Sequence, residues 1–357
     1  MKTPENAEKD FVNDGSGMAP IYRGNDTEAV SVGTMCMANA SRFEESNFNV
    51  PLTTYAVDWK DPNRIDQTLE FVAPMVSVGR RFTYMVQINA EQFFSEIDDT
   101  RAIGADFARV EYTSSKVAGE TLNKGLVIRV DKDEVNDMPN YQEVYTGRMM
   151  QRLLRNELRR AVNILVAAAQ AGTGTGANAP VQQVTWNATQ GVDPDMNLID
   201  ACSRYVDAVG LPPNRLLMSH YAWTQRLAAL RVANNPAGYH NSIFTPQQLA
   251  DFLMLDSCYV SKERFTTGSR VSATKTPVFG PVVAQTNPAV IYLAESGQTT
   301  QDSSNIKRFV SATEGGTPFR VYTENIGSKF VEITVEHYSL TVATSTLGVQ
   351  LLQVSNV

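Results

Sequence analysis

The chain has 357 residues, more than the roughly 250–300 at which a single hydrophobic core stops growing. Hydrophobic residues make up 43% of it and charged residues 19%, as in folded soluble proteins, so disorder throughout is excluded. The 31 Lys and Arg residues against 38 Asp and Glu give a formal charge of −7, which opposes free-standing DNA binding. No uninterrupted apolar run approaches the roughly 20 residues of a membrane span, so no membrane is expected.

Residues 1–66 are rich in Asn, Asp, Glu, Ser, Thr and Gly, with no sustained helix or strand period, which predicts an extended arm. Residues 69–86 alternate apolar and polar side chains, with Pro74 and Gly79 as breaks, which predicts short strands. The polar residues 98–109 that follow are typical of the tip or return of a long projecting hairpin.

The strongest predicted element is a helix over residues 141–170, after a strand at 124–131 and a turn at 137–140 that caps it. At 1.5 Å per residue this helix would be roughly 45 Å long, and it ends at Gly172 in a glycine-rich loop that marks a domain junction. We expect its apolar stripe to pack on a C-terminal sheet around residues 330–335. The stripe comprises Met150, Leu154, Leu158, Ala161, Leu165 and Ala168.

Beyond the junction, helices and strands alternate, which predicts a compact α/β unit. Asp193 and Pro194 open a helix to about residue 209, followed by a buried strand at 215–219 and a helix at 220–230. Thr245 begins a capping box that predicts a helix over residues 246–255. A strand at 288–294 and long alternation over residues 319–352 close the chain with a sheet.

The sequence contains few residues that could form a reactive site. The cysteines, three in number and far apart, form no CxxC pair, so we expect reduced thiols rather than disulfides, in a protein that folds in the cytoplasm. The three histidines, also far apart, form no HExxH, and GxSxG and phosphate-loop motifs are absent. We therefore expect no catalytic residue, no metal site and no cofactor. Glu336 and His337 are expected on opposite faces of a strand.

Four arginines, spaced 4, 3 and 4 residues apart, form a basic stripe along the long helix: Arg148, Arg152, Arg155 and Arg159. Glu157 is the only acid among residues 144–170, so it cannot neutralise all four. One interpretation is a solvated face. The other is contact with carboxylates of a neighbouring subunit or with a polyanion, which suit the guanidinium group. We expect the stripe to contact other subunits.

Four segments carry a resemblance to a known family: FVAPMVSV at 71–78, RAIGADFARVE at 101–111, LNKGLVIRVDKDEV at 122–135 and LPPNRLLMSHYAW at 211–223. Their order resembles the major capsid protein of tailed bacteriophages with the HK97-type fold. Arg101 and Arg109 lie in the second segment, and we add them to the four helix arginines as candidates for contacts between subunits.

The resemblance implies an α+β fold with an N-terminal arm (1–66), an extended E-loop hairpin (67–118), a P-domain (119–178 and 306–343) with a spine helix, and an A-domain (179–305 and 344–357). It implies a virion protein, made in the host bacterial cytoplasm, whose hexamers and pentamers form an icosahedral shell around double-stranded DNA without sequence-specific binding. The implied partners are a separate scaffolding protein, a portal and a decoration protein.

Two alternatives stay open at this point. One is an α/β hydrolase or transferase core within residues 180–305, which would need a nucleophile and a base that the sequence does not bring together. The other is a surface ligand-binding or adhesin protein that uses the C-terminal strands.

Overall fold

A computed structural model describes residues 47–86, 115–187, 193–232, 240–266, 274–281, 286–295, 302–311 and 318–356, together with Thr100, Arg101, Asp106 and Thr300. All of them belong to one compact unit, residues 45–357. The described part contains no helix long and apolar enough to span a bilayer.

The helices are α1 Val50–Asp58, α2 Ile65–Val72, α3 Tyr141–Ala171, α4 Pro194–Val209, α5 His220–Val232 and α6 Pro246–Phe252. The strands of the first half are β1 Met75–Ser77, β2 Arg81–Val86, β3 Ser115–Glu120, β4 Leu122–Asp131 and β5 Val181–Thr185. Those of the second half are β6 Arg215–Ser219, β7 Ser257–Ser261, β8 Arg264–Phe265, β9 Thr276–Pro277, β10 Asn287–Tyr292, β11 Ile306–Val310, β12 Phe319–Ile326, β13 Phe330–Ala343 and β14 Gln350–Ser355.

The first five-stranded sheet is built around β13, whose 14 residues make it the longest described strand. One edge of β13 pairs antiparallel with β4 and the other with β12 and β11, while β1 runs parallel to β11. Val331, Ile333 and Val335 point to one face and are buried there, where α3 packs. The predicted packing of the long helix on the C-terminal sheet is therefore confirmed.

Helix α3 forms as its pattern predicts, over 31 residues that end before Gly172. Every member of the predicted apolar stripe is buried, with exposed fractions of 7% or less: Met150, Leu154, Leu158, Ala161, Leu165 and Ala168. The preceding turn is present, but the side chain of Asn140 makes no capping hydrogen bond. Burial of one face, rather than the cap, therefore holds the helix.

The second five-stranded sheet has the order β5-β14-β10-β6-β7. Helices α4, α5 and α6 cover one face, where their small and branched side chains share a core with alternate residues of the strands. The other face contributes Leu217, Val290 and Leu351 to the core that lies under α3. The capping of α4 by Asp193 and of α6 by Thr245 is confirmed, although α6 ends at Phe252 rather than at residue 255.

The predicted arm is wrong for residues 47–66, which fold onto the first sheet. Asn49 accepts a hydrogen bond from the backbone N–H of Leu52 and starts α1, and its own N–H donates to the carbonyl of Val321 in β12. The buried side chains of Leu52 and Ala56 join the core under α3. Residues 1–46 lie outside the described part.

The strand predicted from residue 69 onward is wrong over its first four residues, which are helical in α2. Its apolar side chains Ile65, Leu69 and Val72 recur at spacings of four and three and are all buried. The short strand β1 follows, but it pairs with β11 in the first sheet. The projecting part of the chain therefore begins no earlier than β2.

Candidate assembly surfaces

The four stripe arginines lie on the exposed side of α3, as their spacing predicts. Two of them stack on aromatic rings of their own chain: Arg148 lies 5.6 Å from the Tyr145 ring centroid and Arg159 lies 4.0 Å from that of Phe265 in β8. Within the described residues, no ion pair joins any of the four to a carboxylate. The stripe is thus a basic surface that no carboxylate of the described residues neutralises.

Glu157, the only acid between residues 144 and 171 of this helix, lies on the opposite side from the stripe and is 2% exposed. Its Oε1 accepts hydrogen bonds from Lys124 Nζ of β4 at 2.7 Å and from Arg160 Nη1 at 2.6 Å. Burial by itself would raise the pKa of the carboxyl, but the contacts with His337 and Lys124 hold the pKa well below its ordinary value of 4.5. Glu157 therefore stays charged, and its Oε1 is paired with the cations of Lys124 and Arg160.

His337 completes this cluster from β13, with Nε2 at 3.5 Å from the same Glu157 oxygen. The imidazole is 3% exposed, and its ring lies 5.3 Å from that of Phe319. Glu336 points to the other face, where it accepts hydrogen bonds from Tyr322 and Asn123. The alternation of the strand predicts this separation, but it does not reveal that His337 faces a carboxylate 180 residues away.

A two-stranded hairpin base leaves the first sheet beside β11. Strands β2 and β3 pair antiparallel along six residues each, as a projecting hairpin requires. Phe82 and Tyr84 of β2 pack on the buried Phe309 of β11, with ring centroids 4.5 Å and 5.4 Å away. A Cβ on Gly119 would come within 2.8 Å of the Phe82 ring, so the glycine makes room for this packing.

Of the two arginines expected on the hairpin return, Arg101 is exposed, and Arg109 lies outside the described residues. The connection between β2 and β3 is described only at residues 100, 101 and 106. The position of the E-loop relative to other chains stays a prediction.

An apolar groove of about 480 Å³ lies between α4 and the end of α6. Ile199, Val206 and Phe252 line it together with Met254, which is 91% exposed and has a φ of +59°. A methionine with a left-handed backbone conformation that faces solvent is unusual, because residues other than Gly, Asn and Asp rarely adopt this conformation. No sequence pattern singled out this site.

The described residues contain no group of three or more His, Cys, Asp or Glu side chains that could hold a metal. Burial raises the pKa of the Cys202 thiol to about 11 and that of Cys258 to about 12, so both free thiols are poor nucleophiles at neutral pH. His240 packs edge-on against the Phe244 ring, and His220 lies beside Tyr221. The geometry around these side chains assembles no catalytic group.

No protein-family model matches the sequence, and no curated protein matches it. Solved structures do match. The capsid structure of the cyanophage P-SCSP1u is 11% identical, with a TM-score of 0.47 over 81% of this chain and 88% of that one. The mature capsid of bacteriophage PhiM1 is 12% identical, with a TM-score of 0.44 over 81% and 87%.

A phage-related protein from Bordetella bronchiseptica RB50 is similar in structure over nearly its whole length. It is 15% identical to this chain, with a TM-score of 0.59, and the match covers 85% of this chain and 96% of that one. At this identity the likeness is one of fold. The chain therefore shares the fold of this phage-related protein, and the α+β fold expected from the resemblance to HK97-type phage capsid proteins is confirmed.

Proposed function

We propose that this protein is the major capsid protein of a tailed bacteriophage, which assembles as hexamers and pentamers into an icosahedral shell around double-stranded DNA. The observation that carries the proposal is the fold, which matches 96% of the phage-related protein from B. bronchiseptica. In this proposal the protein forms the shell and catalyses no reaction.

The exposed apolar side chains support assembly from many copies. Soluble monomers seldom expose contiguous apolar surface, and such surface marks contact sites. Here Met254, which lines the groove between α4 and α6, is 91% exposed, and Ile243, between α5 and α6, is 63% exposed. Leu122 and Val127 of β4 are 55% and 46% exposed. We infer that these surfaces and the β2–β3 hairpin, with Arg101 beyond it, contact neighbouring copies.

The proposed partners follow from the same assignment. A separate scaffolding protein would guide assembly. A portal and a decoration protein would complete the virion.

Electron microscopy of the purified chain, with and without a co-expressed scaffolding protein, tests the proposal directly. We expect closed shells or free capsomers of six and five copies. A truncated variant that lacks residues 1–46 tests the assembly arm. It retains Asn49, because Asn49 caps α1 and its backbone N–H pairs with β12. This variant should remain folded but fail to assemble. Normal shells from it would contradict the assignment of an assembly arm.

The alternatives predict different outcomes in the same preparation. A homogeneous monomer that hydrolyses members of a generic substrate panel would favour an enzyme. A soluble monomer that binds on a glycan array would favour an adhesin.

A further inference from the structure

The exposed side of α3 is basic along most of its length, in a protein whose formal charge is −7. Arg148, Arg152, Arg155 and Arg159 are all exposed there, and Glu157, the one acid between residues 144 and 171, is buried on the other side. The four arginines span 12 residues, and the first and last lie about 16 Å apart along the helix axis at 1.5 Å per residue. No carboxylate interrupts this row.

Two of these arginines have no ion-pair or stacking partner among the described residues. Arg148 and Arg159 stack on Tyr145 and Phe265. Arg152 and Arg155 make no ion pair with any residue of the described part. Glu157 cannot serve them, because Lys124 and Arg160 already contact its Oε1. The row therefore presents two exposed guanidinium groups that no described carboxylate pairs with, between two that stack on aromatic rings.

The composition of this face separates two kinds of partner. The centre of a protein interface is depleted of charged residues and enriched in aromatic and apolar ones. In α3, all of which is described, Val144 is the only large apolar side chain that is exposed, and it lies before the row begins. The exposed neighbours of the row include Asn156, Asn163 and Gln170, whose amides donate hydrogen bonds. Such a surface suits phosphate oxygens better than a second protein surface.

The spacing also suits a phosphate backbone. Successive arginines lie about 6, 4.5 and 6 Å apart along the helix axis. Duplex DNA carries one negative charge per about 1.7 Å of its axis, so every arginine finds a phosphate within reach whichever register the helix takes. Contacts of this kind carry no sequence information.

We propose that this row is a sequence-independent contact for the phosphate backbone of duplex DNA enclosed by the shell. The proposal rests on the capsid function proposed above, and it assigns the four arginines to DNA rather than to a neighbouring subunit. The net negative charge of the rest of the chain keeps the overall attraction between protein and DNA weak. The row would therefore contact DNA without binding it tightly.

The experiment measures binding of the full-length chain to a fluorescent duplex of about 30 base pairs by anisotropy, as a function of salt. Each phosphate neutralised contributes about −0.9 to the slope of log K against log salt. If four arginines act, affinity should fall about 150-fold between about 50 and 200 mM salt. The affinity of the double variant Arg152→Gln/Arg155→Gln should fall only about 12-fold over the same range of salt.

The matched control is Arg231→Gln/Arg264→Gln, which removes the same charge from exposed positions on α5 and β8. It should retain the wild-type slope, and Arg152→Lys/Arg155→Lys should restore it, because lysine also neutralises phosphate. A second duplex of unrelated sequence should bind equally. Equal slopes for the two glutamine variants would overturn the proposal, and so would tighter binding of single-stranded RNA than of the duplex.

Electron microscopy of these variants, together with the charge-reversal variant Arg152→Glu/Arg159→Glu, separates this inference from the capsid assignment. If Arg152→Glu/Arg159→Glu abolishes assembly without DNA, the row contacts a neighbouring subunit and the DNA assignment fails. If the chain binds DNA through the row but never forms shells, the capsid function fails while the basic contact stands.

Discussion

At the scale of single residues, the buried charges between α3 and the first sheet are the most demanding feature of the molecule. Glu157 is surrounded by Lys124 and Arg160, and His337 lies 3.5 Å away. A buried ion pair adds little net stability compared with an apolar pair, but removal of one partner leaves an uncompensated charge. The cluster therefore limits which substitutions these positions tolerate.

Glu157→Gln tests this constraint. The substitution leaves the buried ammonium of Lys124 without a counter-charge, so the free energy of unfolding should fall by about 3–5 kcal/mol. Urea unfolding monitored by circular dichroism measures the change. The control Glu143→Gln, at an exposed acid in the first turn of the same helix, should stay within about 0.5 kcal/mol of the wild type.

The same carboxyl predicts a pH dependence. Its pKa in the folded protein lies below the ordinary value of 4.5, so the stabilisation it contributes is fully present above pH 4.5 and is lost as the pH falls below that value. The difference in unfolding free energy between wild type and Glu157→Gln should therefore shrink from about pH 7 to about pH 3. A difference that stays constant over this range would show that the pKa of the carboxyl is the same in the folded and unfolded states.

Gly348, between β13 and β14, has a φ of +74°, and a Cβ there would lie 2.2 Å from Val209 and 3.0 Å from Tyr205. Gly348→Ala should cost at least about 2 kcal/mol, from the left-handed backbone together with overpacking. Gly327→Ala is the control, since its φ is +63° and nothing lies within 4 Å of its Cβ position. Thermal unfolding of both variants isolates the cost of overpacking. Equal shifts in melting temperature for the two variants would show that overpacking contributes nothing at Gly348.

At the scale of elements, α3 and β13 form the core of the first sheet because two periods match. The helix places apolar residues every three or four positions, and the strand places Val331, Ile333 and Val335 on the facing side. Helix α2 and strand β1, by contrast, depend on contacts with distant partners, namely α3 for the helix and β11 for the strand. The start of α2, however, is fixed locally. Asp61, outside α2, accepts the N–H of Ile65 at 2.7 Å, which replaces a cap at Arg64.

Leu158→Ala removes a side chain that is 1% exposed at the centre of the α3 stripe. The free energy of unfolding should fall by about 2–5 kcal/mol, because the lost methyl groups leave a cavity between two rigid elements. Val144→Ala, at a position 47% exposed on the same helix, serves as the control and should hardly change stability. Chemical denaturation of both variants gives the comparison, and a loss below about 1 kcal/mol for Leu158→Ala would refute close packing at this site.

At the scale of the whole molecule, the two five-stranded sheets meet at Asn305, which is 1% exposed. Its Oδ1 accepts hydrogen bonds from Tyr205 Oη at 2.9 Å and from the N–H of Leu293 at 2.8 Å. Its Nδ2 donates to the carbonyls of Ser345 at 3.1 Å and Leu347 at 2.9 Å. One side chain thus joins α4, the end of β10 and the connection from β13 to β14.

Asn305→Ala should lower the free energy of unfolding by about 3 kcal/mol or more, because several buried polar groups lose their partner at once. Asn163→Ala, at an exposed position of α3, is the control and should have little effect. Differential scanning calorimetry should also show a broader transition for Asn305→Ala, since the two sheets would be less tightly coupled. A single sharp transition at the wild-type temperature would contradict the role of this joint.

Local patterns in the sequence determined the long helix, the capped helices α4 and α6, the strands β4, β6 and β13, and the basic stripe of α3. Each depends on residues a few positions apart, so periodicity and capping chemistry reveal it. The order of these parts also indicated the capsid fold. Only the tertiary structure decided that residues 50–58 and 65–72 are helices of the core, because their stability comes from the distant strand β12 and from α3. It alone brought His337 to Glu157 and Asn305 to Tyr205, since contacts between residues about 100 or more positions apart leave no local pattern.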